Sequence, residues 1–168
     1  MAKITVDGLT LCFPEDWQIS QYDQWSFYRN QFARMWNGIK ALDLLAVDPT
    51  KTAWLIEVKN YRDHVRTKPS ELSDEVARKV FDTLAALPPA RLYAVDRTEQ
   101  HLASALLRVH QYRVVLQLEQ PAKHSKLRPR AINPADVQQK LRRLLKPVDA
   151  HPCVAETNRM GSLAWRVQ

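Results

Sequence analysis

A mixed α/β fold is predicted, because short apolar runs of strand length alternate along the chain with stretches whose large apolar residues recur at helical spacing. Asp-Gly, Asn-Gly and proline pairs mark the boundaries between these segments. With 168 residues, 45% of them apolar, the chain can bury one core and is too short for two ordinary domains. A single domain over residues 1–168 is therefore expected.

The elements follow in order. Residues 3–13, with Asp7-Gly8 in the middle, read as a hairpin. Over 21–36, Tyr22, Trp25, Tyr28, Phe32, Met35 and Trp36 recur as on one amphipathic helix, which Asn37-Gly38 would close. Ala41 to Val47 and Ala53 to Tyr61 read as two strands joined by the loop Asp48 to Thr52. After Pro69-Ser70, Leu72, Val76, Val80 and Leu84 repeat every four positions in a helix that Pro88-Pro89 should stop. Arg91 to Val95 reads as a short strand, about 99–110 as a helix carrying Leu102, Leu106 and Val109, and Tyr112 to Glu119 as a strand. The polar stretch 120–132 leads to a helix with Asn133 as its cap and Pro134 in its first turn, ending before Pro147. Leu163 to Val167 reads as a last strand.

Composition narrows the function. Three glycines cannot build a phosphate-cradling loop, and no G-x-S-x-G turn occurs, so nucleotide-driven and serine-nucleophile schemes are not expected. Cys12 and Cys153 lie at opposite ends and form no C-x-x-C pair, which argues against a disulfide framework or a zinc knuckle. No apolar run has the length of a membrane span and the first residues carry no secretory pattern, so a cytoplasmic protein without a membrane partner is expected. The net charge of +7 favours a polyanionic partner. Lys123, Lys126, Arg128, Arg130, Lys140, Arg142, Arg143 and Lys146 crowd one segment in which Asp136 is the lone acid, making it a candidate phosphate-facing patch or, equally, solvated loop and helix faces.

The second hairpin carries the chemistry. If its loop is centred on Thr50, partners across the ladder sum to 100, so Asp43 stands opposite Glu57 and Lys59 shares the face of Glu57. Opposed β-carbons lie about 4.5–5.5 Å apart, and like charges at that spacing repel unless neutralised. A magnesium ion, or manganese, suits that need, since it takes oxygen ligands and often only one or two carboxylates. Held by Asp43 and Glu57, it would polarise a phosphoryl oxygen, with Lys59 orienting or deprotonating the attacking water. The alternative is that the three residues decorate the solvent face of an edge hairpin. Against it stand the apolar flanks Leu42, Leu44 and Leu45 and Trp54, Leu55, Ile56 and Val58, since strands this apolar are usually buried and buried charges need partners.

Leu42-Asp43-Leu44-Leu45, followed by Leu55-Ile56-Glu57-Val58-Lys59, resembles the bipartite signature of the PD-(D/E)XK nuclease superfamily: an aspartate, a variable hairpin, then (D/E)-x-K. That resemblance implies a restriction-endonuclease-like core, a central mixed β-sheet flanked by helices, spanning about 21–95 with 96–168 as elaboration. It implies Asp43 and Glu57 as metal ligands together with the Val58 carbonyl, Lys59 as the catalytic lysine, and magnesium-dependent hydrolysis of phosphodiesters, DNA ahead of RNA. A homodimer is plausible by resemblance alone, and so is a nuclease fold used only to bind nucleic acid or a partner protein. No proline precedes Asp43, and the first helix has no glutamate; Asp23, Gln24 or Gln31 could stand in for it. Arg62, Lys126, Arg128, Arg130, Arg142 and Arg143 are the candidate nucleic-acid contacts, with Tyr61 as a base-stacking or core residue. His64, His101, His110 and Trp165 are expected in bystander, surface or packing roles.

Overall fold

The computed structural model describes residues 1–168 and has the expected mixed α/β architecture. The first hairpin forms as expected: β1 (Ala2–Val6) and β2 (Leu9–Phe13) pair antiparallel around Asp7 and Gly8, whose φ angles are 50° and 76°. A left-handed pair at both central positions matches the twist of the flanking strands, and Gly8 takes it without a side-chain clash.

The amphipathic helix expected over 21–36 does not form as one piece. β3 (Gln18–Gln21) occupies its start, α1 (Ser26–Asn30) is the only α-helical turn, and the remainder is 3-10 turns. Two contacts decide this. The Tyr22 amide donates to the Asp43 carbonyl at 2.8 Å, extending a sheet pairing, and the Glu99 carboxylate accepts from the Ser26 and Phe27 amides at 2.6 and 3.1 Å, starting a helix there. Tyr22, Trp25, Phe27 and Phe32 still reach the core, whereas Trp36 is 91% exposed. Helical spacing finds the burial of Tyr22, Trp25 and Phe32 but misses the exposure of Met35 and Trp36, and it gives the secondary structure wrongly.

The second hairpin is β4 (Leu44–Val47) and β5 (Thr52–Asn60), and its register is Leu44 with Ile56, Leu45 with Leu55, Ala46 with Trp54 and Val47 with Ala53, each pair summing to 100. Asp48 fixes the loop by accepting from the Thr50 and Thr52 amides at 2.9 and 3.0 Å.

Helix α2 (Leu72–Tyr93) runs through Pro88 and Pro89 and takes in Arg91 to Tyr93 of the segment expected as a strand at Arg91 to Val95, the rest of which is not a strand either. A proline inside a helix removes a hydrogen bond and costs about 3 kcal/mol. Here Ala86, Leu87 and Ala90 are fully buried and Pro88 is exposed, so core packing keeps the helix going while the disruption falls on its solvent side. Next come α3 (Arg97–Leu106), capped by Asp96, β6 (Gln111–Glu119), α4 (Pro134–Leu145), capped by Asn133, and two short strands, β7 (Cys153–Ala155) and β8 (Arg166–Val167).

The main sheet has the order β3-β4-β5-β6-β7, antiparallel up to β5 and parallel from β5 to β7. β6 lies inside it, paired with β5 along nine residues, so the sheet draws on residues beyond 95 that the resemblance assigns to elaboration. A second sheet, β1-β2-β8, covers one face. Alternation along β5 splits the core accordingly. Ala53 and Leu55 join α2, α3 and α4 in one cluster, and Ile56 and Val58 join Leu11, Phe13 and Trp165 in another. Glu57 and Lys59 therefore belong to the helical face, as the alternation predicts.

Candidate active site

Asp43 immediately precedes β4, and three backbone contacts hold its segment. The Lys40 amide donates to Asp82 at 2.8 Å, the Leu42 amide donates to Thr83 at 3.1 Å, and the Asp43 carbonyl accepts from Tyr22. Buried Asp82 and Thr83 of α2 thus set where the aspartate stands. Its side chain reaches across to β5, where Oδ2 accepts from the Val58 amide at 2.7 Å. Continuing the register by one residue puts Asp43 beside Glu57, as the sequence geometry requires.

Glu57 is fully buried. Its Oε1 accepts from Lys59 Nζ at 2.7 Å and from Lys79 Nζ at 2.5 Å, and its Oε2 is buried with no partner. Burial, and then the charge of Asp43, push the Glu57 carboxyl above its ordinary range, against the two lysines. Burial likewise raises Asp43, opposed by Lys79, the Val58 amide and Lys59. For Lys59 burial favours the neutral amine, but Glu57, Asp43 and Glu75 together outweigh it and raise its pKa. The direction of that shift favours the ammonium form. In that form Lys59 can orient groups and offset negative charge.

Lys79 is absent from the residues expected at the site, although the sequence carries a signal for it. It lies seven positions after Leu72 and three after Val76, on the stripe that α2 buries, and a lysine there requires an anionic partner. Glu75, one turn before it, gathers Arg66 at 2.8 Å, Lys68 at 3.0 Å and Lys59 at 3.5 Å. Burial would raise the Glu75 carboxyl, but those cations bring it down to about 2.

In front of this cluster lies a cleft of about 660 Å³, whose walls include Asp23, Lys40, Asp43, Lys68, Arg78 and Lys79. Glu57 and Lys59 do not line this cleft, but each pairs with a residue that does, Glu57 with Lys79 and Lys59 with Glu75. Asp23 Oδ1 is buried and unpartnered, and the Asp23 charge reaches Asp43. Of Asp23, Gln24 and Gln31, the polar residues available in place of a helical glutamate, Asp23 is therefore the one beside Asp43. No three histidine, cysteine, aspartate or glutamate side chains are grouped closely enough to make a metal site by themselves. The donors nevertheless fit a magnesium ion that takes two carboxylates, because Glu57 keeps an unpaired buried oxygen beside Asp43 and a cation would relieve both desolvated acids.

The nucleic-acid candidates divide. Arg62, Arg128 and Arg130 gather with Lys123 around a second cleft, while Lys126, Arg142 and Arg143 are exposed and do not line it. Tyr61 packs against the core with its ring 5.8 Å from that of His64, and Trp165 is buried among aromatic rings. His64, His101 and His110 are exposed. No helix is long and apolar enough to cross a membrane.

No family model matches the chain, and no solved structure does. Among curated proteins, a cysteine–tRNA ligase of Neisseria meningitidis serogroup A / serotype 4A is 30% identical over 159 residues, a match covering 77% of this chain and 23% of that protein. The chain thus spans less than a quarter of the relative's length, and the similarity is to a portion of that ligase.

Proposed function

We propose that the chain is a metal-dependent nuclease with a PD-(D/E)XK, restriction-endonuclease-like core, whose centre is Asp43, Glu57 and Lys59 joined by Lys79. The observation that carries this reading is the pair of desolvated carboxylates, Asp43 and Glu57, set against two ammonium groups behind a cleft with Lys40, Lys68, Arg78 and Lys79 on its walls. Burying charge is costly, and a fold that needed only stability would gain as much from apolar residues at these positions. Magnesium or manganese would be held by Asp43, Glu57 and the Val58 carbonyl, and when bound it supplies Lewis acidity at the phosphodiester. The chain's own residues do the rest. Lys59 and Lys79 offset negative charge developing on the phosphorus oxygens, and the lysines and arginine of the cleft wall hold the flanking phosphates. A nucleic-acid partner, DNA ahead of RNA, and action by a homodimer belong to the same proposal.

The similarity to a cysteine–tRNA ligase favours a second reading, a nuclease-fold module that binds RNA, tRNA in particular, without cutting it. Glu57 is already neutralised by two lysines, which such a module would require. Calorimetric titration with magnesium and manganese separates the two. Binding that is lost in Asp43→Asn supports the nuclease, and no binding by the wild type, with tRNA retained in a gel-shift, supports the module.

A further inference from the structure

β5, β6 and β7 are parallel, and their carboxyl ends open on one edge of the sheet. In open α/β sheets this edge is where ligands are received. A cleft of about 680 Å³ occupies it, lined by the segments that follow the three strands and including Arg62, Lys123, Arg128, Arg130, Glu156 and Thr157. The arginines are held in place. Arg62 donates to buried Glu119 at 2.9 Å and to Thr157 at 3.2 Å, and Arg130 donates to buried Glu156 at 2.6 Å and to the Pro121 carbonyl at 2.8 Å. Glu119 is fixed in turn by the Thr157 amide at 2.6 Å and by Gln117 at 3.0 Å. Each guanidinium has five N–H donors, so both keep donors for a further acceptor. Lys123 and Arg128 stand exposed on the outer wall.

This cleft and the candidate catalytic one each share a lining residue with one smaller hollow. A smaller hollow of about 170 Å³ lies between them, bordered by Tyr61, Arg66, Lys68, Gln120, Pro129 and Ile132. Lys68 also lines the catalytic cleft, and Gln120 also lines the arginine cleft. The three hollows thus share wall residues in sequence, with the Tyr61 ring in the middle one; the outer clefts carry cations beside acids, Asp63, Glu119 and Glu156 at one end and Asp23, Asp43, Asp74 and Glu75 at the other. The path runs from the helical side of the sheet across the strand ends. A duplex, stiff over about 50 nm, does not follow a bend on this scale, whereas a single strand does and can rest a base on Tyr61.

We propose that these hollows form one track for a single-stranded polynucleotide, with the reacting phosphodiester beside Asp43 and Lys79 and phosphates farther along the strand on Arg62, Lys123, Arg128 and Arg130. The assignment of the catalytic end rests on the nuclease reading above; the arginine end stands on its own geometry. The test is fluorescence anisotropy of the full chain, in chelator so that nothing is cut, against a labelled single strand of about twelve nucleotides, a dinucleotide and a blunt duplex. Wild type is compared with Lys123→Ala/Arg128→Ala. Both side chains are exposed, and the one ion pair lost is Arg128 with Asp63 at 3.7 Å, so the variant should keep its melting temperature.

The track predicts tighter binding of the long strand than of the dinucleotide or the duplex. In the double variant, affinity for the long strand should fall about tenfold and its logarithmic salt slope by about 1.4, two phosphate contacts being lost. Unchanged affinity and slope overturn the track, as does preference for the duplex or no binding by wild type. Magnesium-dependent cleavage of the same strand is measured in parallel. A wild type that cuts the strand while the double variant binds it undiminished retains the nuclease and discards the track. Binding with the expected salt dependence but no cutting retains the track and discards the nuclease.

Discussion

Lys79→Met should expose how the buried centre is balanced. Glu57 is inaccessible to solvent, its Oε2 has no partner, and its Oε1 is shared by Lys59 at 2.7 Å and Lys79 at 2.5 Å. Methionine keeps most of the apolar stem of the lysine, so the change removes mainly the charge. A hydrogen bond to a charged group contributes about 1.5–3 kcal/mol, and stranding a buried charge altogether costs about 3–5 kcal/mol. Lys59 remains, so the loss should lie near the lower range, at about 2 kcal/mol. Urea unfolding in chelator measures it. Magnesium should then restore more stability to the variant than it adds to the wild type, because the ammonium no longer competes for Glu57. Saturation at about one hundred times Kd contributes about 2.7 kcal/mol. A variant within about 0.5 kcal/mol of wild type, or an identical response to magnesium in both, would refute this reasoning.

Other consequences are open to measurement. Lys59→Met should lower kcat about 10²- to 10³-fold, as loss of a group that stabilises developing charge does, and Lys59→Arg should restore part of it; a pH–rate profile in which Lys59 must lose its proton near neutrality would contradict its ammonium role. Glu75, held down to about 2 in the folded chain, contributes stability that is complete above about pH 4.5 and disappears as pH falls toward 2. Urea midpoints across that window should converge for wild type and Glu75→Gln, and a constant gap would show that the charge of Glu75 is not involved. Trp165, 1% exposed and 5.3 and 5.4 Å from the rings of Phe13 and Trp54, joins the small sheet to the main one. Trp165→Ala should cost about 3–5 kcal/mol by thermal or urea unfolding, and a loss below 1 kcal/mol would show that the sheets hold together without it.

The parts of the fold that depend on local chemistry are legible in the sequence. Asp7-Gly8 sets one hairpin, Asn133-Pro134 sets the start of α4, and the loop around Thr50 sets the register of β4 and β5 to the residue. That register alone brings Asp43, Glu57 and Lys59 together. What cannot be read locally is decided by distant partners. Glu99 and Asp43 break the aromatic stretch after Gln21 into short turns, and the buried Ala86, Leu87 and Ala90 carry α2 past two prolines. The site shows the same division. Lys79 reaches Glu57 from 22 residues away, on a helix packed against the strand that carries the glutamate. The basic segment is visible as charge, but which cations share a cleft depends on where β5, β6 and β7 end. Arg130 lines the cleft while Arg142 and Arg143 do not.

The most direct measurement is cleavage of an end-labelled oligonucleotide by wild type and by Asp43→Asn, with magnesium, with manganese and in chelator. Asparagine can still accept the Val58 amide, so the fold should persist while a ligand charge is lost. Wild type should give shorter products with either metal and none in chelator, and Asp43→Asn at least about a hundredfold less. Wild type that leaves the strand intact with both metals, or Asp43→Asn that cuts as well as wild type, would contradict the proposed nuclease.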